Sequence, residues 1–218
     1  MTPDEARHLL AAYARGRADW LSRTASTLQA GGVWLVGSLA TGADDEWSDL
    51  DLIVVDGQPV LDGSPLTIEM PANGPADGGY LGAMYDVAGL PLWVDWYLWP
   101  SHAAIPREAR LLAGSGTPGT LDLNATLDHL GRGRPGTPPD PDTFALAMLP
   151  LAAKHVARGN HETAAAIVTM LGAQAGTNVA AALAAVLSDL NSNHPAAALV
   201  RRHLDVVRSI IGGCTATA

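Results

Sequence analysis

Val33-Trp34-Leu35-Val36-Gly37-Ser38, then ten residues, then Asp49-Leu50-Asp51-Leu52-Ile53-Val54-Val55, is the stretch from which the rest of the chain can be read. Two apolar runs of strand composition flank a turn of small residues and a polar loop. On a strand, residues two apart face the same way, so Asp49 and Asp51 project together while Leu50, Leu52 and Val54 project opposite. Two carboxylates this close on one face repel each other unless a cation sits between them. Mg²⁺ takes such a pair: hard oxygen ligands, few in number, with room left for water and substrate phosphates. Gly37 lets backbone come close to a ligand, and the amide and hydroxyl of Ser38 can donate to a phosphate oxygen.

Gly37-Ser38, the ten-residue gap and Asp49-Leu50-Asp51 resemble the signature of the DNA polymerase β-like nucleotidyltransferase superfamily. Ser48, just before the first carboxylate, is also common there. The resemblance implies a third carboxylate on a later strand, and Trp93-Val94-Asp95-Trp96-Tyr97-Leu98 offers Asp95. A carboxylate in such apolar company is costly unless it is paired or metal-bound. Leu90-Pro91-Leu92-Trp93-Val94-Asp95-Trp96-Tyr97, followed by a helical C-terminal half, is similar to the small antibiotic nucleotidyltransferases, those of aminoglycoside or lincosamide type. Lys154, Arg158 and Gly159 resemble the Lys-x-x-x-Arg-Gly pattern of that group, and Lys154 is the only lysine in the chain.

The resemblance therefore implies Mg²⁺ held by Asp49, Asp51 and Asp95, which are both the metal ligands and the catalytic residues. It implies a nucleoside triphosphate such as ATP gripped by Gly37, Ser38 and Lys154. It implies transfer of a nucleoside monophosphate to a hydroxyl of a small molecule, an aminoglycoside or lincosamide antibiotic. The alternative is a toxin–antitoxin type module of the same fold that modifies a protein or RNA partner. A helical ribonuclease partner domain of that kind carries Arg, four to six residues, then His; Arg158 with His161 is too close for this. A homodimer is compatible with either reading.

Bulk properties set the bounds. The chain of 218 residues is 48% hydrophobic and 16% charged, enough apolar content to bury a core and too little charge for disorder. A formal net charge of −9 argues against general binding to nucleic acid, which needs Lys and Arg at phosphates. Cys214 is the sole cysteine, so neither a disulfide framework nor a zinc site is expected. The start lacks the basic and apolar regions of a signal peptide, and the longest apolar run, 179–187, falls short of the ~18 residues of a membrane span. No membrane association and a cytoplasmic location are expected.

Along the chain, Thr2-Pro3-Asp4-Glu5 reads as a capping box opening a helix to about residue 27. Residues 39–47 read as a loop whose Asp44, Asp45 and Glu46 form a solvated tip, with Trp47 folded back on the sheet. Residues 66–70 have strand composition, and Glu69 there is the one further carboxylate weighed as a general base. Trp93, Asp95, Tyr97 and Trp99 share a strand face, so Trp93 and Tyr97 are candidates to line the site. Residues 105–112 and 121–130 read as short helices. The Gly/Pro-rich run 131–140 is the linker. The expected architecture is α+β: a nucleotidyltransferase domain over 1–130 with a mixed sheet flanked by helices, and an antiparallel helical bundle over 141–213. Asp142 is expected to cap the first bundle helix, Pro150 to kink it or delay its start, and Gly212-Gly213 to stop the last.

Overall fold

The first helix is set by its own ends. In the computed structural model, which describes residues 1–174, 176, 178–190 and 193–215, the Thr2 amide donates to the Glu5 carboxylate at 2.7 Å. The Glu5 amide donates back to Thr2 Oγ1 at 3.2 Å. This reciprocal cap starts α1 (Pro3–Thr27), with Pro3 where a missing N–H costs nothing.

Six strands follow: β1 (Gly32–Val36), β2 (Leu50–Val55), β3 (Leu66–Glu69), β4 (Gly79–Val87), β5 (Leu90–Trp99) and β6 (Arg110–Gly114). They form one mixed sheet in the order β3-β4-β5-β2-β1-β6. β2 runs parallel to β5, and β1 is antiparallel to both β2 and β6. Ala88 and Gly89, both at positive φ, make a two-residue turn between β4 and β5, and Asp86 accepts the Gly89 amide at 2.7 Å.

The two faces of the sheet are covered differently. On one, Trp20 of α1 meets Tyr85 and Trp96 at ring-centre distances of 4.7 and 6.2 Å. On the other, Trp34, Val36, Ile53, Tyr80, Tyr97 and Trp99 pack with Ile105, Ala109 and Leu127, the last from α3 (Leu123–Leu130). Period-2 alternation along β2 and β5 sends Asp51 and Asp95 to this second face.

By its internal contacts the chain forms two compact units. The sheet unit is Arg17–Tyr85 with Leu92–Pro138; the helical unit is Met1–Gly16, Asp86–Pro91 and the chain from Pro139 onward. The cut at Pro138 falls inside the run 131–140. Two short segments of the range 1–130, however, group with the helices. The two segments are also tied to each other: the buried Tyr13 hydroxyl donates to the Pro91 carbonyl at 3.4 Å.

Within the helical unit, α4 (Pro141–Ala157) packs on α5 (His161–Met170), α6 (Val179–Asp189) and α7 (Ala197–Thr215). Leu146, Leu149, Val168, Leu183, Val200 and Val207 are among its buried side chains. Among the described residues no helix is long and apolar enough to cross a membrane.

Four local expectations are corrected. Residues 105–112 form no helix: 105–109 are an isolated bridge and a turn, and 110–114 are the strand β6, because the open edge of β1 offers backbone partners. The cap of α4 is Asp140, which accepts the Thr143 amide at 3.0 Å, with Pro141 as the first helical residue. Pro150 does not delay the start of α4, which begins at Pro141. α7 runs past Gly212 to Thr215, glycine in a helix costing only about 1 kcal/mol.

Candidate active site

β2 and β5 lie side by side and parallel, and their register pairs Asp51 with Asp95. In-register partners on neighbouring strands share a face at a strand spacing of about 4.8 Å. The two side chains are close enough for Asp51 to act on the Asp95 carboxyl. Asp49 sits one residue before β2 and is also near enough for its charge to act on Asp95.

The end of β1 closes one side of the pair. Val36 is the antiparallel partner of Asp51, so the next residue, Gly37, turns directly over that carboxylate. Gly37 has φ +70°, and a Cβ placed on it would lie 2.2 Å from Asp51 Oδ2. No other residue fits there. The chain then winds into a single helical turn, α2 (Gly37–Thr41), so the first part of the expected loop is helical. Ser38 is half-buried in that turn, and its carbonyl accepts the Ala43 amide at 3.0 Å and Thr41 Oγ1 at 3.1 Å.

Asp95 is held from below. Trp93 Nε1 donates to Asp95 Oδ1 at 2.6 Å, and the Tyr80 hydroxyl donates to the same oxygen. Burial pushes the Asp95 carboxyl above its ordinary value, and the Asp49 charge adds to this; the hydrogen bonds from Tyr80, Trp93 and Asp51 pull the other way. Tyr80 and Tyr97 are both raised, first by burial and then by the charge of Asp95; Asp51 adds to the shift at Tyr97. Around this point the sheet is electronegative.

No protein-family model matches this chain, and no curated protein matches it.

The sheet thus brings Gly37, Asp51 and Asp95 together with Asp49 alongside. Among the described residues no three His, Cys, Asp or Glu side chains are gathered closely enough to enclose a metal ion by themselves.

Other candidates fall elsewhere. Glu69 is exposed on β3, with the whole of β4 between it and β5. Tyr97 belongs to the core under the site rather than to an open surface. Lys154 is buried in α4 at 5% exposure, and its charge acts on His203 of α7. Arg158, expected on the same face, is the exposed C-cap residue, because α4 ends at Ala157.

Three partners were not picked out from the sequence. Trp93 was seen to share the face of Asp95, but not to donate to it. Tyr80 gave no signal. Arg17, buried at 5% exposure, donates to the Ser48 carbonyl at 2.6 Å and the Asp45 carbonyl at 3.0 Å, and pairs with Asp44 at 3.1 Å. It thereby fixes the segment that ends at Asp49. Asp45 in turn accepts the Trp47 amide and the Ser48 hydroxyl, each at 3.0 Å. Asp45 is therefore structural, where a solvated tip was expected; Asp44, though paired with Arg17, and Glu46 are both exposed.

Proposed function

We propose that the sheet unit is the catalytic core of a Mg²⁺-dependent nucleotidyltransferase. It moves a nucleoside monophosphate from a nucleoside triphosphate such as ATP to a hydroxyl of a small molecule, and aminoglycosides and lincosamides are the acceptors to try first. The observation that carries the reading is the facing pair Asp51–Asp95 on adjacent parallel strands, with Gly37 pressed against Asp51. Sequence segments some forty residues apart meet there, which supports the reading.

In such a reaction the acceptor hydroxyl gives up its proton to solvent water, its oxygen attacks the α-phosphorus, and the bond to the bridging oxygen breaks, releasing pyrophosphate. Bound Mg²⁺ would neutralise the triphosphate and lower the pKa of the attacking hydroxyl. The rest of the work is alignment and placement of charge. Asp51 and Asp95 supply fixed carboxylates on one face, and Asp49 supplies a third, partly exposed charge at its edge. Gly37 leaves the space over Asp51 clear of any side chain, and Ser38 follows it as a donor to phosphate oxygens. The reading asks nothing of Lys154.

The test is to incubate the protein with each nucleoside triphosphate labelled at the α-phosphate, Mg²⁺ and a panel of aminoglycosides and lincosamides. A labelled acceptor is expected with the natural protein. Asp51→Asn should lose turnover by at least about a thousandfold while keeping its circular dichroism, since it removes one of two like charges from a shared face. Full turnover in Asp51→Asn would end this reading.

A further inference from the structure

We infer that Tyr80 and Trp93 are positioning residues that restrict Asp95 to ligation through one oxygen, and so favour a small octahedral cation over Ca²⁺. The inference rests on the reading of Asp51 and Asp95 as a metal-ligating pair.

The argument is one of lone pairs. A carboxylate oxygen has two, and Asp95 Oδ1 accepts from both the indole N–H of Trp93, at 2.6 Å, and the hydroxyl of Tyr80. Oδ1 is therefore saturated, and Oδ2 is the oxygen that a cation would meet, in place of the contact with Asp51. Ca²⁺ takes six to eight oxygens and commonly clasps a carboxylate through both; Mg²⁺ keeps six ligands in a tight octahedron and accepts single oxygens. A carboxylate with one oxygen already spoken for serves the second ion and handicaps the first.

Both donors are held rigidly enough to enforce this. The Trp93 ring packs against Gly82 of β4, where an added Cβ would come within 2.1 Å of the ring. Tyr80 is 7% exposed and stands edge-on to Tyr97, with ring centres 5.3 Å apart and planes at 74°. Tyr80 cannot swing aside without disturbing the core beneath the site, and Trp93 cannot without leaving its contact with Gly82. Hydrogen-bond partners behind a metal ligand commonly change metal affinity by about 10–100-fold when removed.

Mn²⁺ reports the site directly by electron paramagnetic resonance. It would be titrated into the full-length protein alone and with a non-hydrolysable α,β-methylene triphosphate, then displaced with Mg²⁺ or Ca²⁺. The natural protein is expected to release Mn²⁺ to Mg²⁺ more readily than to Ca²⁺. Tyr80→Phe and Trp93→Phe should each weaken Mn²⁺ binding about 10–100-fold. In both variants Ca²⁺ should gain on Mg²⁺ as a competitor, because Oδ1 is released for a two-oxygen clasp; a merely structural role would leave that ratio alone. Folded variants with Mn²⁺ affinity and Mg²⁺/Ca²⁺ ratio within twofold of the natural protein would overturn the inference while leaving the nucleotidyltransferase reading standing. No Mn²⁺ binding by the natural protein under either condition would overturn both. Should Trp93→Phe fail to fold, Tyr80→Phe, which removes a single oxygen, carries the test by itself.

Discussion

Gly37 holds a φ of +70° at the point where backbone crosses the Asp51 carboxylate. Two separate physical demands meet on this residue: a left-handed conformation that L side chains rarely adopt, and a space in which a methyl group would overlap Asp51 Oδ2. Gly37→Ala should therefore cost about 1–3 kcal/mol in urea unfolding for the strain alone, and should displace the carboxylate as well. Turnover is expected to fall further than stability does. A Gly37→Ala protein with natural stability and turnover would show that the crossing is not tight. At this scale the sequence was legible where chemistry imposes spacing. Gly37, Asp49 and Asp51 follow from the strand–turn–strand pattern, and Asp95 follows from the cost of a carboxylate among aromatics. Tyr80 could not be found that way. It lies fifteen residues from Asp95 and meets it across two strands, a relation that no periodicity along one strand encodes.

The segment between α2 and β2 shows what an element adds. Read alone, Asp44-Asp45-Glu46 is an acidic loop, and acidic loops are usually solvated. Folded, it is tied to α1 through the buried guanidinium of Arg17, which reaches one carboxylate and two carbonyls. The link was invisible because a lone arginine on an amphipathic helix reads as exposed, and its partners lie 27 to 31 residues away. Arg17→Ala would strand those acceptors and should destabilise the protein by about 2–4 kcal/mol. Arg17→Lys should recover little, since one ammonium cannot span the fork of acceptors. Asp44→Asn, on the more exposed partner, should cost no more than about 1 kcal/mol. Urea titration of the three variants checks the order; Arg17→Lys equal to the natural protein would remove the fork argument. The same limit explains β6: the pattern of residues 105–112 allowed a helix, and only the open edge of β1 decides for a strand.

For the molecule as a whole, the class of fold was legible from hydrophobic patterning. The recruitment of Met1–Gly16 and Asp86–Pro91 into the helical unit was not, because it depends on contacts between distant segments, such as that of Tyr13 with Pro91. That unit also carries a consequence for pH. His203 is 3% exposed in α7, and its pKa is lowered from 6.5 to about 3, first by burial and then by the charge of Lys154; a backbone hydrogen bond at Pro150 opposes the shift only in part. A lowered histidine pKa means that the folded chain stays neutral where the unfolded chain takes up a proton. The stability it supports is thus intact above pH 6.5 and drains away as the pH falls from 6.5 towards 3. One such proton is worth about 1.4 kcal/mol per pH unit inside that window. His203→Gln removes the titrating group while keeping a side chain able to hydrogen-bond. It should be less stable than the natural protein at neutral pH, yet lose stability more slowly on acidification, by about that slope between about pH 6 and 4. Urea unfolding followed at several pH values reads the slopes directly. Parallel stability curves for the two proteins would mean that His203 takes up its proton in the folded state, and the buried neutral imidazole would have to be abandoned.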